Sequence, residues 1–193
     1  MREDRSYGYE AIAKRYMTLR TDVGCEVVAA WAQKLSKGGA VLDVGAGSGE
    51  PTMPILQDAG LKVFALDASP AMVDAFKTRF PNIPVACEAA EDSSFFDRRF
   101  DGVMAIGLIF LLSEANQREL LCRIADVLEP AGSLLFSGPY QACTWTDVLT
   151  GRPSTSLGAQ TYRSILAHHG MKVIQTHTDE GGNHYFEAEK QAA

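Results

Sequence analysis

Three alternating glycines, Gly45, Gly47 and Gly49, follow the apolar run 40–44 at the point where a helix is expected to begin. Glycine reaches backbone angles closed to other residues and lets a ligand lie directly against the main chain. A second, mostly apolar run, 62–66, ends on Asp67. This acid comes about 18 positions after the last glycine, close to where nucleotide-binding α/β folds place the carboxylate that binds ribose. The two segments together predict an adenosine-type site.

Segments of strand character alternate with segments of helix character from residue 40 onward. This alternation predicts an α/β, doubly wound, Rossmann-like sheet of seven strands that is mostly parallel. The predicted strands are 40–44, 62–66, 83–87, 100–106, 132–137, 171–177 and 184–190, and the predicted helices are 49–59, 70–79, 115–128 and 159–169.

The two ends of the chain and one long connection complete the predicted organisation. A helical segment from about residue 9 to residue 35 precedes the first strand. The connection 178–183 is too short for a helical crossover, so the last two strands form a C-terminal antiparallel hairpin. The region 138–158 is a long irregular insertion, and loops of that length are typically functional or disordered. We expect one domain, 1–193, with a helical cap (1–38), a core (40–190) and the insertion on the substrate side.

Composition limits the classes of function. The 193 residues are 46% apolar and 22% charged, which is typical of one globular domain. A net charge of −6 argues against a nucleic-acid partner. No run approaches the length of a membrane span, and residues 1–5 lead into no apolar segment, so we expect a cytoplasmic protein. The four cysteines form no C-x-x-C pair, and nothing in the sequence indicates a bound metal.

The glycine-rich segment 41–49, VLDVGAGSG, has the spacing G-x-G-x-G. A dinucleotide fingerprint would place its third glycine at position 50, where this chain has Glu50. The segment 67–73, DASPAMV, matches the pattern D-x-S-x-x-M. With these motifs the chain resembles the class I S-adenosylmethionine-dependent methyltransferases of the small-molecule type, over residues 9–190. The resemblance implies S-adenosyl-L-methionine as the cofactor, S-adenosyl-L-homocysteine as the product and a small-molecule methyl acceptor.

The resemblance also implies where the cofactor binds. Asp67 would accept hydrogen bonds from the ribose hydroxyls, although an acid in this position also commonly caps the following helix. Either Glu91, which we favour, or Glu88 would bind the edge of adenine; the plain alternative is a solvated loop charge. The implied cofactor residues are Tyr16, Arg20, Asp43, Gly45, Ala46, Gly47, Gly49, Asp67, Ala68, Met72, Ala90, Glu91, Ile106 and Gly107.

Tyr16 and Arg20 are four residues apart and therefore share one face of the N-terminal helix. The resemblance implies that this helix folds over the cofactor and that both side chains meet its methionine end, with Arg20 a partner for the carboxylate. The plain alternative is a core aromatic beside a surface arginine.

Transfer from a sulfonium requires alignment more than chemical assistance, and a base is needed only where the acceptor is protonated. His184 is the best candidate for that base, and Glu180 could orient it; alternatively, the segment around both residues is simply a turn. Tyr140 is the third catalytic candidate. Trp145, together with Tyr140, could wall an apolar or aromatic acceptor. Arg152 could pair with an acceptor carboxylate or phosphate, or be merely solvated.

Two other functions stay open at this point. A nicotinamide-dependent oxidoreductase could use a related fold, and a non-catalytic module could bind S-adenosylmethionine without transferring its methyl group. The sequence determines neither the acceptor atom nor the oligomeric state.

Overall fold

The computed structural model of the protein describes residues 4–191. The first and last residues of the predicted domain, 1–3 and 192–193, lie outside the described residues. Residues 1–3 are also most of the segment 1–5 that entered the expectation of a cytoplasmic protein. The elements are α1 (Tyr9–Leu19), α2 (Cys25–Ala32), β1 (Ala40–Val44), α3 (Thr52–Asp58), β2 (Lys62–Asp67), α4 (Pro70–Arg79), β3 (Val85–Cys87), β4 (Phe100–Ala105), α5 (Glu114–Val127), β5 (Leu128–Ser137), β6 (Ala142–Thr146), β7 (Pro153–Leu157), α6 (Ala159–His168), β8 (Met171–Thr178) and β9 (His184–Lys190).

Seven strands form one sheet in the order β3-β2-β1-β4-β5-β9-β8. The pairs among β1 to β5 are parallel, whereas β9 is antiparallel to both β5 and β8. The predicted doubly wound fold with a C-terminal antiparallel hairpin is therefore confirmed. The chain runs outward from β1 to β3 and then returns to β4 on the other side of β1. This reversal opens a crevice at the carboxyl ends of β1 and β4, which is where ligands bind in open α/β sheets.

The central strand β1 is buried along its whole length because helices cover both faces of the sheet. Its side chains alternate between two apolar clusters. Leu42 packs with Phe100 and Phe136 on one face. Val41 packs with Trp31 and its neighbours on the other face. Burial on both faces fixes the register of β1 and thereby the position of the glycine turn that follows it.

The N-terminal segment, predicted to be helical from about 9 to 35, is broken in the middle. Two helices are present, because the backbone is extended at Arg20 (φ −63°, ψ 137°) and left-handed at Gly24 (φ 84°). This break places Arg20 at the end of α1.

The region 138–158 was predicted to be irregular, and that prediction is wrong. It contains the antiparallel hairpin β6–β7, in which Trp145 pairs with Ser154. Asp147 closes the turn by accepting hydrogen bonds from the backbone N–H groups of Leu149 and Thr150, each at 2.8 Å. Within residues 4–191, no helix is long and apolar enough to cross a membrane.

Candidate functional site

A cleft of about 780 Å³, open to solvent, lies at the carboxyl ends of β1, β2 and β4. It contains nearly all of the residues expected at the cofactor. Asp43 and Gly49 are the two that do not line it. We call it the donor cleft, after the methyl donor that the resemblance implies. The predicted residues that line it are Tyr16, Arg20, Gly45, Ala46, Gly47, Asp67, Ala68, Met72, Ala90, Glu91, Ile106 and Gly107.

The glycine turn leaves its main chain open to a ligand. Gly47 and Gly107 have positive φ angles, +57° and +75°, and a Cβ added at either would meet no protein atom within 4 Å. Gly49 is different, because a Cβ there would lie 2.7 Å from the Phe80 ring. Gly47 and Gly107 thus allow close approach from the cleft, whereas Gly49 allows the turn to pack on the protein.

Backbone N–H groups hold both carboxylate oxygens of Asp67. Its Oδ2 accepts the N–H of Gly47 and its Oδ1 accepts the N–H of Ser69, each at 2.8 Å. Ser69 is the N-cap of α4, since its Oγ accepts the N–H of Met72 at 3.2 Å. Burial raises the pKa of Asp67, and its two backbone hydrogen bonds oppose that rise. The helix therefore has its own cap, and the carboxylate lies in the cleft wall.

Asp43 lies under the glycine turn and is 3% exposed. Its hydrogen bond comes from the Thr52 hydroxyl at 3.4 Å. Burial, followed by the nearby charge of Asp67, raises the pKa of Asp43 from 3.8 to about 7. A substantial fraction of this carboxyl group is therefore protonated near neutral pH.

Glu91 lines the cleft, while the alternative candidate, Glu88, is outside the lining and bonds to Ser93. The Tyr7 hydroxyl donates to Glu91. Burial, and then this hydrogen bond, raises the pKa of Tyr7 to about 12. Arg123 donates to the carbonyl oxygens of Ala90 and Glu91, at 3.0 and 2.7 Å, and holds their loop in place.

Aromatic side chains of α1 roof the cleft. The rings of Tyr9 and Tyr16 meet edge to face at 5.0 Å. Arg20 donates to the Tyr16 hydroxyl at 3.2 Å and to the Glu50 carbonyl at 3.4 Å. Tyr9 donates to Asp147 at 3.1 Å, which ties α1 to the β6–β7 turn.

A second, larger cavity of about 1,890 Å³, also open to solvent, adjoins the donor cleft. The two share a wall made by Tyr9, Tyr16, Arg20, Ile106 and Gly107. We call the second one the acceptor cavity. Most of its remaining wall comes from the α1–α2 connection, the β5–β6 connection with Ser137, the β6–β7 hairpin and the β8–β9 turn.

Of the residues predicted on the acceptor side, His184 and Trp145 line this cavity. The His184 ring stacks on Tyr140 at 3.9 Å, and its Nδ1 lies 3.0 Å from the Thr178 hydroxyl. Tyr140 donates its own hydroxyl to the carbonyl of His177 at 2.9 Å, so that hydroxyl holds a backbone position.

Tyr140 lines neither cavity, although it was expected to wall the acceptor, and the remaining two predicted residues also lie outside both linings. Glu180 is exposed, and its carboxylate accepts the N–H of Gly24 at 3.5 Å. The hydrogen-bond partner of the His184 ring is thus Thr178 instead of Glu180. Arg152 forms an ion pair with Asp4 at 2.9 Å. Among the described residues, no group of three or more His, Cys, Asp and Glu side chains could hold a metal ion.

Sequence reasoning missed Tyr7, Tyr9 and Arg123. A signal existed for Tyr9, because it precedes Tyr16 by two helical turns and therefore shares its face. Tyr7 and Arg123 act through partners more than 30 positions away along the chain, which local patterns do not reveal.

Comparisons with known proteins agree with this geometry. A family model described as a methyltransferase domain matches residues 41–132. An uncharacterized methyltransferase of Synechocystis sp. is 26% identical over 163 residues, covering 77% of this chain and 74% of that protein. A demethylmenaquinone methyltransferase of Renibacterium salmoninarum is 38% identical over 106 residues, which cover 53% of this chain and 43% of that relative. The chain thus spans less than half the length of the second relative.

Among solved structures, magnesium protoporphyrin IX methyltransferase from Synechocystis with bound S-adenosylmethionine superposes with a TM-score of 0.69. Its sequence identity is 16%, and the match covers 97% of this chain and 82% of that one. The fold and the donor cleft define a Rossmann-like methyltransferase domain. Residues 41–132 match the methyltransferase-domain family, the whole chain resembles the class I S-adenosylmethionine-dependent methyltransferases, and S-adenosylmethionine is its cofactor.

Proposed function

We propose that the protein transfers the methyl group of S-adenosylmethionine to a small-molecule acceptor by in-line displacement. The observation that carries this proposal is the shared wall at Ile106 and Gly107, where the donor cleft opens into the acceptor cavity. Two cavities that meet at one point can hold donor and acceptor in line, and alignment supplies much of the rate of such a transfer. The names of a demethylmenaquinone and a magnesium protoporphyrin IX methyltransferase among its relatives favour a small molecule.

On the donor side, each end of the cleft has groups suited to one part of the cofactor. Asp67 is placed to accept hydrogen bonds from the ribose hydroxyls, and Glu91 to accept from the adenine amino group. Arg20 is placed to pair with the methionine carboxylate beneath Tyr16. Bound there, the cofactor supplies an electrophilic methyl group.

On the acceptor side, we assign His184 as the base that removes a proton from the acceptor. Its Nδ1 is directed at Thr178, so Nε2 is the nitrogen available for the proton. Tyr140 acts as a positioning residue, because it stacks on the imidazole and is itself held by a backbone carbonyl. Trp145 walls the cavity. Glu180 and Arg152 have no part in this proposal, since both have partners elsewhere.

The direct test is calorimetric titration with S-adenosylhomocysteine, followed by transfer of a labelled methyl group to a panel of acceptors. We expect Asp67→Asn to weaken binding by about tenfold or more, since loss of a hydrogen bond to a charged group costs roughly 1.5–3 kcal/mol. Asp74→Asn is the matched control, an exposed acid on α4.

Each alternative has its own outcome. Quenching of nicotinamide fluorescence without binding of S-adenosylhomocysteine would favour an oxidoreductase. Cofactor binding without transfer to any acceptor would favour a non-catalytic module.

A further inference from the structure

The wall of the acceptor cavity is mixed, and one part of it is aromatic and apolar. Trp145 and Phe110 form its aromatic part, with ring centroids 5.3 Å apart and planes inclined at 49°. Leu19, Val23 and Val148 lie at its rim and are exposed by 49%, 39% and 92%. Large apolar side chains gathered around one opening typically mark a surface that an apolar ligand covers.

Two permanently charged side chains, Asp147 and Arg20, line this cavity, and both are already engaged. Asp147 accepts hydrogen bonds from the Tyr9 hydroxyl and from two backbone N–H groups of its own turn. Arg20 donates to Tyr16 and to the carbonyl of Glu50, and it lies on the wall shared with the donor cleft. Burying a charge without a partner is costly. These partners are uncharged, but both Asp147 oxygens already accept hydrogen bonds and Arg20 is assigned to the methionine carboxylate, so a charged acceptor would have to compete for one of these two groups.

Ser137 is the polar group next to the point where the cavities meet. Its Oγ accepts the N–H of Gly107 at 2.7 Å, and the residue is 6% exposed. Within residues 4–191, the hydroxyl proton has no acceptor, although Ser137 lines the acceptor cavity. A buried donor without a partner is unfavourable, so a ligand oxygen at this position would be stabilised.

We infer that the acceptor is a neutral, largely apolar molecule that bears a hydroxyl group, and that Ser137 donates a hydrogen bond to one of its oxygen atoms. This inference rests on the proposed function. The hydroxyl oxygen forms a bond to the methyl carbon as the carbon–sulfur bond breaks, and that electron pair goes to sulfur. The hydroxyl proton passes to Nε2 of His184. An alkyl amine is disfavoured because it is protonated near neutral pH, and the carboxylate in the cavity wall, Asp147, already accepts three hydrogen bonds.

The test uses three naphthalene probes that differ in charge: neutral 2-naphthol, anionic 6-hydroxy-2-naphthoate and cationic 2-(aminomethyl)naphthalene. Each is titrated calorimetrically into protein saturated with S-adenosylhomocysteine. We expect 2-naphthol to bind about tenfold more tightly than either charged probe. Equal or tighter binding of a charged probe, or no binding of 2-naphthol, would overturn the inference. Saturation with S-adenosylhomocysteine is measured first, so a failure of cofactor binding is seen separately.

Variants test whether Ser137 makes the proposed hydrogen bond to the acceptor. Ser137→Ala should weaken the binding of 2-naphthol by about fivefold, which is the usual effect of losing one neutral hydrogen bond, and it should leave the affinity for S-adenosylhomocysteine unchanged. Ser164→Ala, an exposed serine on α6, is the control. Unchanged naphthol affinity, or an equal loss of cofactor affinity, would show that Ser137 only supports Gly107 and would refute its anchoring role.

Discussion

Replacing Asp43 by Asn should make the protein less sensitive to alkaline pH. The Asp43 carboxyl is buried beside Asp67, and its pKa rises from 3.8 in an exposed chain to about 7 in the fold. The folded protein therefore holds a proton that the unfolded chain has already released. Stability from this group is complete below about pH 4, decreases as the pH rises and is lost above about pH 7. The difference between the two pKa values corresponds to roughly 4 kcal/mol.

Asparagine has nearly the same shape, carries no charge, and its amide oxygen can still accept the Thr52 hydroxyl hydrogen bond. The assay is urea unfolding of the cofactor-free protein at several pH values between 5 and 8. The free energy of unfolding should decrease with pH in the wild type and change less in Asp43→Asn. Between pH 5 and pH 8, the unfolding free energy of Asp43→Asn relative to that of the wild type should increase by on the order of 2–4 kcal/mol.

Asp74→Asn, on the exposed face of α4, controls for the general effect of removing a carboxylate. Parallel curves for the wild type and Asp43→Asn would refute the reasoning. A second variant tests the cause, because the charge of Asp67 is the second contribution to the raised pKa of Asp43. Asp67→Asn should therefore lower the pKa of Asp43, so that the pH-dependent loss of stability becomes smaller and is complete at lower pH.

Two further predictions concern the glycine turn and the proposed base. Gly49→Ala should cost about 2–4 kcal/mol of unfolding free energy, since its Cβ would overlap Phe80 at a left-handed backbone position. Gly47→Ala should cost only about 1 kcal/mol of unfolding free energy, but it should weaken S-adenosylhomocysteine binding more than Gly49→Ala does. Thermal unfolding and calorimetry separate the two, and the reverse ranking would contradict the packing argument. His184→Gln should lower kcat/KM for a hydroxyl acceptor by about 10²- to 10⁴-fold, with the exposed His168→Gln as control. An unchanged kcat/KM in His184→Gln would exclude His184 as the base.

The donor cleft could be predicted from sequence because its parts are local. The glycine turn and Asp67 each follow directly at the end of a strand, and parallel strands bring their carboxyl ends to one edge. The partner of His184 could also have been found by register. A turn of five residues, 179–183, places Thr178 opposite His184, and the structure pairs them in this way. Glu180, by contrast, lies within the turn.

The acceptor side could not be predicted to the same depth, because much of its wall comes from connections that are distant in the chain. Val23 precedes α2, Trp145 belongs to the β6–β7 hairpin and Asn183 belongs to the β8–β9 turn. None of these connections contributes to the parallel core of the sheet, so each can change without moving Gly47 or Asp67. A long-range hydrogen bond from Tyr9 to Asp147 joins the hairpin to the helix that roofs the donor cleft. The shape of the acceptor cavity is therefore coupled to the donor cleft through side chains whose meeting depends on the completed fold.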